Sequence, residues 1–352
     1  MKIRKLFQKT AALLMAAVTA VSLVPATTAF AAGDIGTVTF QHTYDSDGNA
    51  MRYNSSAVIN GHTAGGTGEY KYRMFIDGEV GFCIEPGVPL KTGHTLTKAS
   101  SEAWNALSSN QRKAVGLALL YGYQGNRNAL SGSDDEKWLA TQTLVWEFVT
   151  GCREATGSYQ QTSRTVYDLH FGSNYANSGA RTAYEQIVSM LSEYNTIPSF
   201  MSGGANDITK ELAYKDGKYS IALTDKNGVL SEYNFTSSDG NVSVSKSGNK
   251  LTISSASAVS SSVKITATRN NIPIVSSSAK LIAYGDPNLQ DVITGVENVD
   301  IVAAYMNIET PTGTLALKKT SEDGVVANIS FTITGDDFSK TVKTGADGTI
   351  SV

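Results

Sequence analysis

The sequence predicts a multidomain chain: a mixed α+β domain followed by all-β, immunoglobulin-like sandwich domains. Three observations point there. All three tryptophans and both cysteines lie before residue 200. Apolar residues recur at helical spacing only within residues 111–195. After Gly204 the pattern changes to short alternating runs separated by Gly-containing turns, the signature of antiparallel strands.

The first 31 residues read as a signal peptide. Lys2, Arg4, Lys5 and Lys9 form a positive region, residues 11–24 an apolar one, and Ala29-Phe30-Ala31 a small-x-small cleavage site, so the mature chain is expected to begin at Ala32 and to be exported. No later stretch approaches the ~20 apolar residues of a membrane-spanning helix, so no membrane insertion of the mature chain is expected. A net charge of −3 without a Lys/Arg cluster argues against nucleic acid as a partner. The four histidines lack metal-ligand spacing, and neither metal nor cofactor is expected. Composition divides the rest into residues 32–203, 204–310 and 311–352.

In the first of these, residues 36–42 and 70–84 read as strands, and residues 111–123, 134–150 and 180–195 as helices. The stripe Ala183, Ile187, Val188 and Leu191 gives the last helix its buried face. Residues 154–177, rich in Ser, Thr, Gln and Tyr, read as a long polar loop. The helix 134–150 has the clearest ends. Ser133 or Asp134 can cap it, three acidic residues occupy its first turn where the macrodipole favours them, and Gly151 can end it in a left-handed conformation.

On that helix Trp138, Gln142, Val145 and Val149 share a face beside Trp146, which predicts a buried Gln142. A buried amide needs hydrogen-bond partners or costs about 1–3 kcal/mol. The plain reading is a satisfied core glutamine. Cys83, in Phe82-Cys83-Ile84-Glu85-Pro86-Gly87 at the end of a strand, adds a second possibility. A thiolate can attack the Gln carboxamide, expel ammonia and leave an internal thioester.

Phe-Cys-Ile-Glu-Pro-Gly followed by Thr-Gln-Thr-Leu-Val-Trp, with 142 − 83 = 59 residues from Cys to Gln, resembles the thioester domains of Gram-positive surface adhesins. The likeness spans roughly residues 36–200. The second motif of that family commonly reads Thr-Gln-X-Ala, and Leu144 stands here at the Ala position. The resemblance implies that Cys83 and Gln142 form the reactive bond, with Phe82, Trp138, Thr141 and Trp146 around it. It also implies a cell-wall-associated protein that couples through the Gln142 carbonyl to a lysine amine on a host surface or matrix protein. Such an event occurs once per molecule, so the chain is read as a covalent binding protein and not an enzyme.

Three alternatives stand beside this reading. Cys83 and Cys152 are the only cysteines and could form one disulfide. Cys152, however, lies ten residues beyond Gln142, about 15 Å along a helix, whereas a disulfide holds its Cα atoms about 4.4–6.8 Å apart. A Cys83 that touches Gln142 therefore does not readily reach Cys152. Cys83 could instead be the nucleophile of a cysteine peptidase or transglutaminase, with His62, His94 or His170 as base. Finally, Cys83 and Gln142 could simply pack in a structural stalk or pilin subunit.

Residues 204–310 carry runs at 219–223, 233–235, 242–244, 251–253 and 263–267, separated by Asp216-Gly217, Asn227-Gly228, Asp239-Gly240 and Ser247-Gly248. They predict an antiparallel β-sandwich ending near Glu309, with the role of a rigid spacer. Residues 311–352 resemble the opening strands of collagen-adhesin (Cna) B-type, SpaA-like domains. That likeness implies an intramolecular isopeptide lysine, Lys319 first and Lys318 next, in a domain expected to be incomplete because the family's acid and amide partners lie on later strands.

Overall fold

The computed structural model describes residues 34–259, 262–311, 313, 315–335 and 338–351; the predicted signal peptide lies outside the described residues. The chain is mixed α/β. It opens with β1 (Ile35–His42), β2 (Ser56–Ile59), β3 (His62–Gly65), β4 (Tyr72–Ile76), β5 (Glu79–Cys83) and β6 (Thr95–Lys98). The helices follow: α1 (Glu102–Ala106), α2 (Ser109–Tyr121), α3 (Tyr123–Asn126), α4 (Asp134–Thr150), α5 (Thr165–Phe171) and α6 (Ser178–Tyr194).

Three local readings change. The run 70–84 is two strands joined by Asp77-Gly78, whose φ angles of +49° and +86° build the two-residue hairpin turn that matches strand twist. The helix expected over 111–123 breaks at Gly122. A Cβ there would lie 2.4 Å from the Ala118 carbonyl oxygen and 2.5 Å from Thr141 Oγ1, so only glycine permits this approach to α4. The expected loop 154–177 contains α5, which buries Val166, Leu169 and His170.

α4 is the hub. Ser133 caps it in a reciprocal capping box with Glu136, and Gly151 ends it at φ +73°. From Trp138 to Phe148 every residue is buried, because α2, α6 and the strands cover it on all sides. A helix buried all round carries no amphipathic stripe. Among the described residues no helix is long and apolar enough to cross a membrane.

Beyond the helices come β7 (Thr209–Glu211), β8 (Ala213–Lys215), β9 (Lys218–Thr224), β10 (Tyr233–Ser237), β11 (Val242–Ser247), β12 (Lys250–Ser255) and β13 (Val263–Arg269). β14 (Leu281–Asp286), β15 (Leu289–Gly295) and β16 (Ala303–Glu309) complete this part. Two four-stranded sheets, β10-β13-β16-β7 and β11-β12-β9-β8, close over one apolar core that includes Leu230, Tyr233, Leu251, Ile253, Ile265 and Met306. The pairing is antiparallel as expected except that β7 runs parallel to β16.

The boundaries expected from composition do not follow the strand pairing. β14 and β15 leave the sandwich and close a six-stranded barrel in the order β1-β4-β5-β15-β14-β6. β15 reads Leu-Gln-Asp-Val-Ile-Thr-Gly and is buried from Gln290 to Thr294, on both of its faces. It satisfies the edge of β5 that β4 leaves open. Residues 281–295 thus belong structurally with residues 34–98, and the stretch 204–310 is not one independent sandwich.

At the C-terminal end β17 (Ala316–Lys318) pairs with β20 (Thr349–Ser351), and β18 (Ser330–Gly335) with β19 (Phe338–Lys343), giving two two-stranded sheets.

Candidate functional site

Cys83 ends β5. Strand alternation sends Phe82 into the helical core and Cys83 into the cluster formed by Val38, Met74, Trp146 and Val292. Trp138, one turn before Gln142 on α4, fixes the register between helix and strand: its indole N–H donates to the Gly81 carbonyl at 3.1 Å, and its ring stacks on Phe82. Gln142 then falls opposite Cys83. The Cys83 N–H donates to Gln142 Oε1 at 2.8 Å, and Gln142 Nε2 donates to the Cys83 carbonyl at 2.9 Å. The structure therefore brings Cys83 and Gln142 together, both buried, at 4% and 3% exposure.

This geometry bears on reactivity. In attack on the Gln142 carboxamide, negative charge develops on Oε1, where the Cys83 backbone N–H already donates. Burial pushes the Cys83 thiol well above its ordinary pKa. The Trp146 indole N–H and the Glu85 backbone N–H act the other way, and the charges of Glu85 and Asp291 add to the rise. Trp146 Nε1 is buried and has no partner at full hydrogen-bonding geometry.

Cys83, Gln142, Trp138 and Trp146 share a cavity of about 540 Å³ with Lys71 and His170, which reaches the exposed Tyr70 and Tyr72. Phe82 and Thr141 stand behind it. Thr141 Oγ1 accepts the Tyr123 N–H and donates to the Lys137 carbonyl, which locks α3 onto α4. The motif residues Glu85 and Gly87 are also structural: Glu85 Oε2 accepts the Asp291 N–H at 2.7 Å, its carbonyl accepts Gln290 Nε2 at 2.8 Å, and Gly87 has φ +87°.

The other candidates separate. Cys83 and Cys152 are both free, so the disulfide reading is not what the structure contains. His62 is exposed, and the His94 ring accepts the Lys91 N–H at 3.2 Å away from the cavity. His170 lines the cavity, but its Nδ1 is engaged by Lys71 Nζ at 2.8 Å. Lys319 Nζ donates to the Val325 carbonyl at 3.0 Å, and Lys318 is exposed.

Sequence reasoning missed Tyr53, Lys71, Gln290 and Asp291. Lys71 sits in Glu69-Tyr70-Lys71-Tyr72, where nothing local marks a buried lysine. Gln290 and Asp291 lie on β15, whose neighbour β5 is about two hundred residues away.

Residues 80–192 match the protein-family model described as the thioester domain, a span that holds both Cys83 and Gln142. Among solved structures the chain is similar to the thioester domain of the Staphylococcus aureus TIE protein, at 17% identity and a TM-score of 0.45, over 79% of this chain and 99% of that one. That likeness is too distant to argue from. No curated protein matches the chain.

Proposed function

Taking residues 80–192 as a thioester domain, we propose that this chain is an exported surface adhesin whose Cys83–Gln142 thioester captures a lysine amine on a host surface or matrix protein. The observation that carries the reading is the reciprocal hydrogen-bonded contact of Cys83 with Gln142 inside an aromatic cavity.

In bond formation the Cys83 sulfur attacks Gln142 Cδ, the C–N bond breaks, and the carboxamide nitrogen leaves as ammonia with the thiol proton. In capture an amine attacks the same carbon, the C–S bond breaks, and an amide and a thiol result. The cavity keeps bulk water from the thioester until an amine arrives. Capture consumes the bond without turnover, so the chain acts as a covalent tether rather than an enzyme. The two facing sheets serve as a spacer. Residues 311–352 are read as a Cna B-type element with Lys319 as the candidate isopeptide lysine.

Intact mass and thiol titration test this. The mature protein should lack one ammonia and expose one titratable thiol when unfolded, and Cys83→Ala and Gln142→Ala should each restore the unmodified mass. Methylamine should add to Gln142 and free Cys83. With a lysine-bearing host protein, the wild type and not Cys83→Ala should give an adduct that survives boiling in detergent. Full sequence mass with two thiols would refute the reading.

A further inference from the structure

Lys71 is 2% exposed, and no ion pair among the described residues involves it. Burial of a lysine in this way is costly unless its ammonium is paired or neutral. Its Nζ lies 2.8 Å from His170 Nδ1 and 3.4 Å from the centre of the Tyr53 ring. Both partners lead back to the sulfur. His170 packs on Trp146 at 5.3 Å between ring centroids, and Trp146 shares a buried cluster with Cys83. Tyr53 lines the same cavity as Cys83. Lys71, His170, Tyr53, Trp146, Cys83 and Gln142 line one cavity.

Resting on the thioester reading above, we propose that Lys71 is the proton shuttle of amine capture, moving a proton from the attacking nitrogen to the departing Cys83 sulfur. A neutral amine that attacks Gln142 Cδ gives an adduct with a positive nitrogen and a negative oxygen. The nitrogen must lose a proton, and the sulfur must gain one as the C–S bond breaks. Direct transfer between them needs a strained four-membered arrangement. Lys71 takes the proton on its lone pair and hands it on to sulfur, ending neutral as it began.

The surroundings supply what this role requires. Burial holds the Lys71 amine well below its ordinary pKa, which favours the neutral form whose lone pair accepts a proton. Its nitrogen lies within hydrogen-bond distance of His170 Nδ1 and over the Tyr53 ring, which leaves its remaining side to the shared cavity. Burial also makes the Cys83 sulfur a basic, poor leaving group unless it is protonated as it leaves. Glu69, the acid nearest in sequence, is exposed at the cavity mouth and does not pair with the amine.

The order of the reaction in amine tests the proposal. In protein already shown to lack one ammonia and to hold one thiol, methylamine capture should be first order in methylamine, because the shuttle is built in. Lys71→Met should close the thioester but react about 10²–10⁴-fold more slowly. Its rate should become second order, a second methylamine now carrying the proton. Second-order kinetics in the wild type would overturn the proposal even if Lys71→Met failed to fold, as would wild-type rate and order in Lys71→Met. Loss of ammonia with two free thiols would also overturn it, since Gln142 would then have acylated Lys71 itself. A wild type with no loss of ammonia would instead sink the parent reading, and the shuttle with it.

Discussion

Val292 lies directly across from Cys83 in the antiparallel pair of β15 and β5. The next residue back reinforces the contact: the Asp291 carbonyl accepts the Ile84 N–H, and its carboxylate accepts Ser101 Oγ and the Ala103 N–H, so β15 also anchors the start of α1. The strand bearing Cys83 is thus held in place by a hairpin that follows most of the second β region.

A fragment of residues 34–203 should therefore fail to form the site. It lacks β14 and β15 and leaves the edges of β5 and β6 unpaired. Residues 34–310 should unfold cooperatively and lose ammonia, whereas the shorter fragment should show neither. A cooperative, ammonia-deficient 34–203 fragment would refute this account of barrel closure.

Cys83→Ala and Gln142→Ala should differ in stability although each removes one partner of the proposed thioester. Alanine at 83 keeps the backbone N–H and carbonyl paired with Gln142, and alanine at 142 leaves both buried and unpaired. Gln142→Ala should be less stable by about 1–3 kcal/mol in urea unfolding. Equal midpoints and slopes would count against the two hydrogen bonds as a structural clamp.

Lys71 sets a pH dependence with a definite sign. Its folded pKa is depressed and its unfolded value is about 10.4, so above that value both states are neutral and no penalty exists. As pH falls, the unfolded chain binds a proton that the folded chain refuses. Wild type should lose stability relative to Lys71→Met by up to about 1.4 kcal/mol per pH unit. Measured between pH 10 and pH 8, above the range in which His170 titrates in the unfolded chain, the gap should widen steadily. A constant gap would mean that Lys71 is charged in the fold.

Glu147→Ala should cost about 3–5 kcal/mol, because it strands a buried guanidinium. Glu147 Oε2 accepts Arg153 Nε at 2.6 Å, and both oxygens accept the Tyr184 hydroxyl, tying the end of α4 to α6. The same change should leave methylamine capture by the folded fraction unaltered, since neither residue lines the cavity. A loss under about 1 kcal/mol in thermal or urea unfolding would show the network to be peripheral.

The sequence by itself determined what depends on neighbours along the chain. The cap at Ser133, the left-handed Gly151 and the apolar spacing fix α4 and bury Gln142, and the sandwich hairpins follow from short alternating runs and their glycine turns. The two motifs around Cys83 and Gln142 were visible for the same reason, as short contiguous strings. Only the tertiary structure decided the rest. Residues 281–295 look locally like any other strands of the second region, and nothing in them names β5 or β6 as partners, because strand pairing is set by complementarity across the whole chain. Lys71 looks like an ordinary polar position between two exposed tyrosines. It is buried because Tyr53 and His170, the latter on a helix that the composition of its segment concealed, close around its amine from distant parts of the fold.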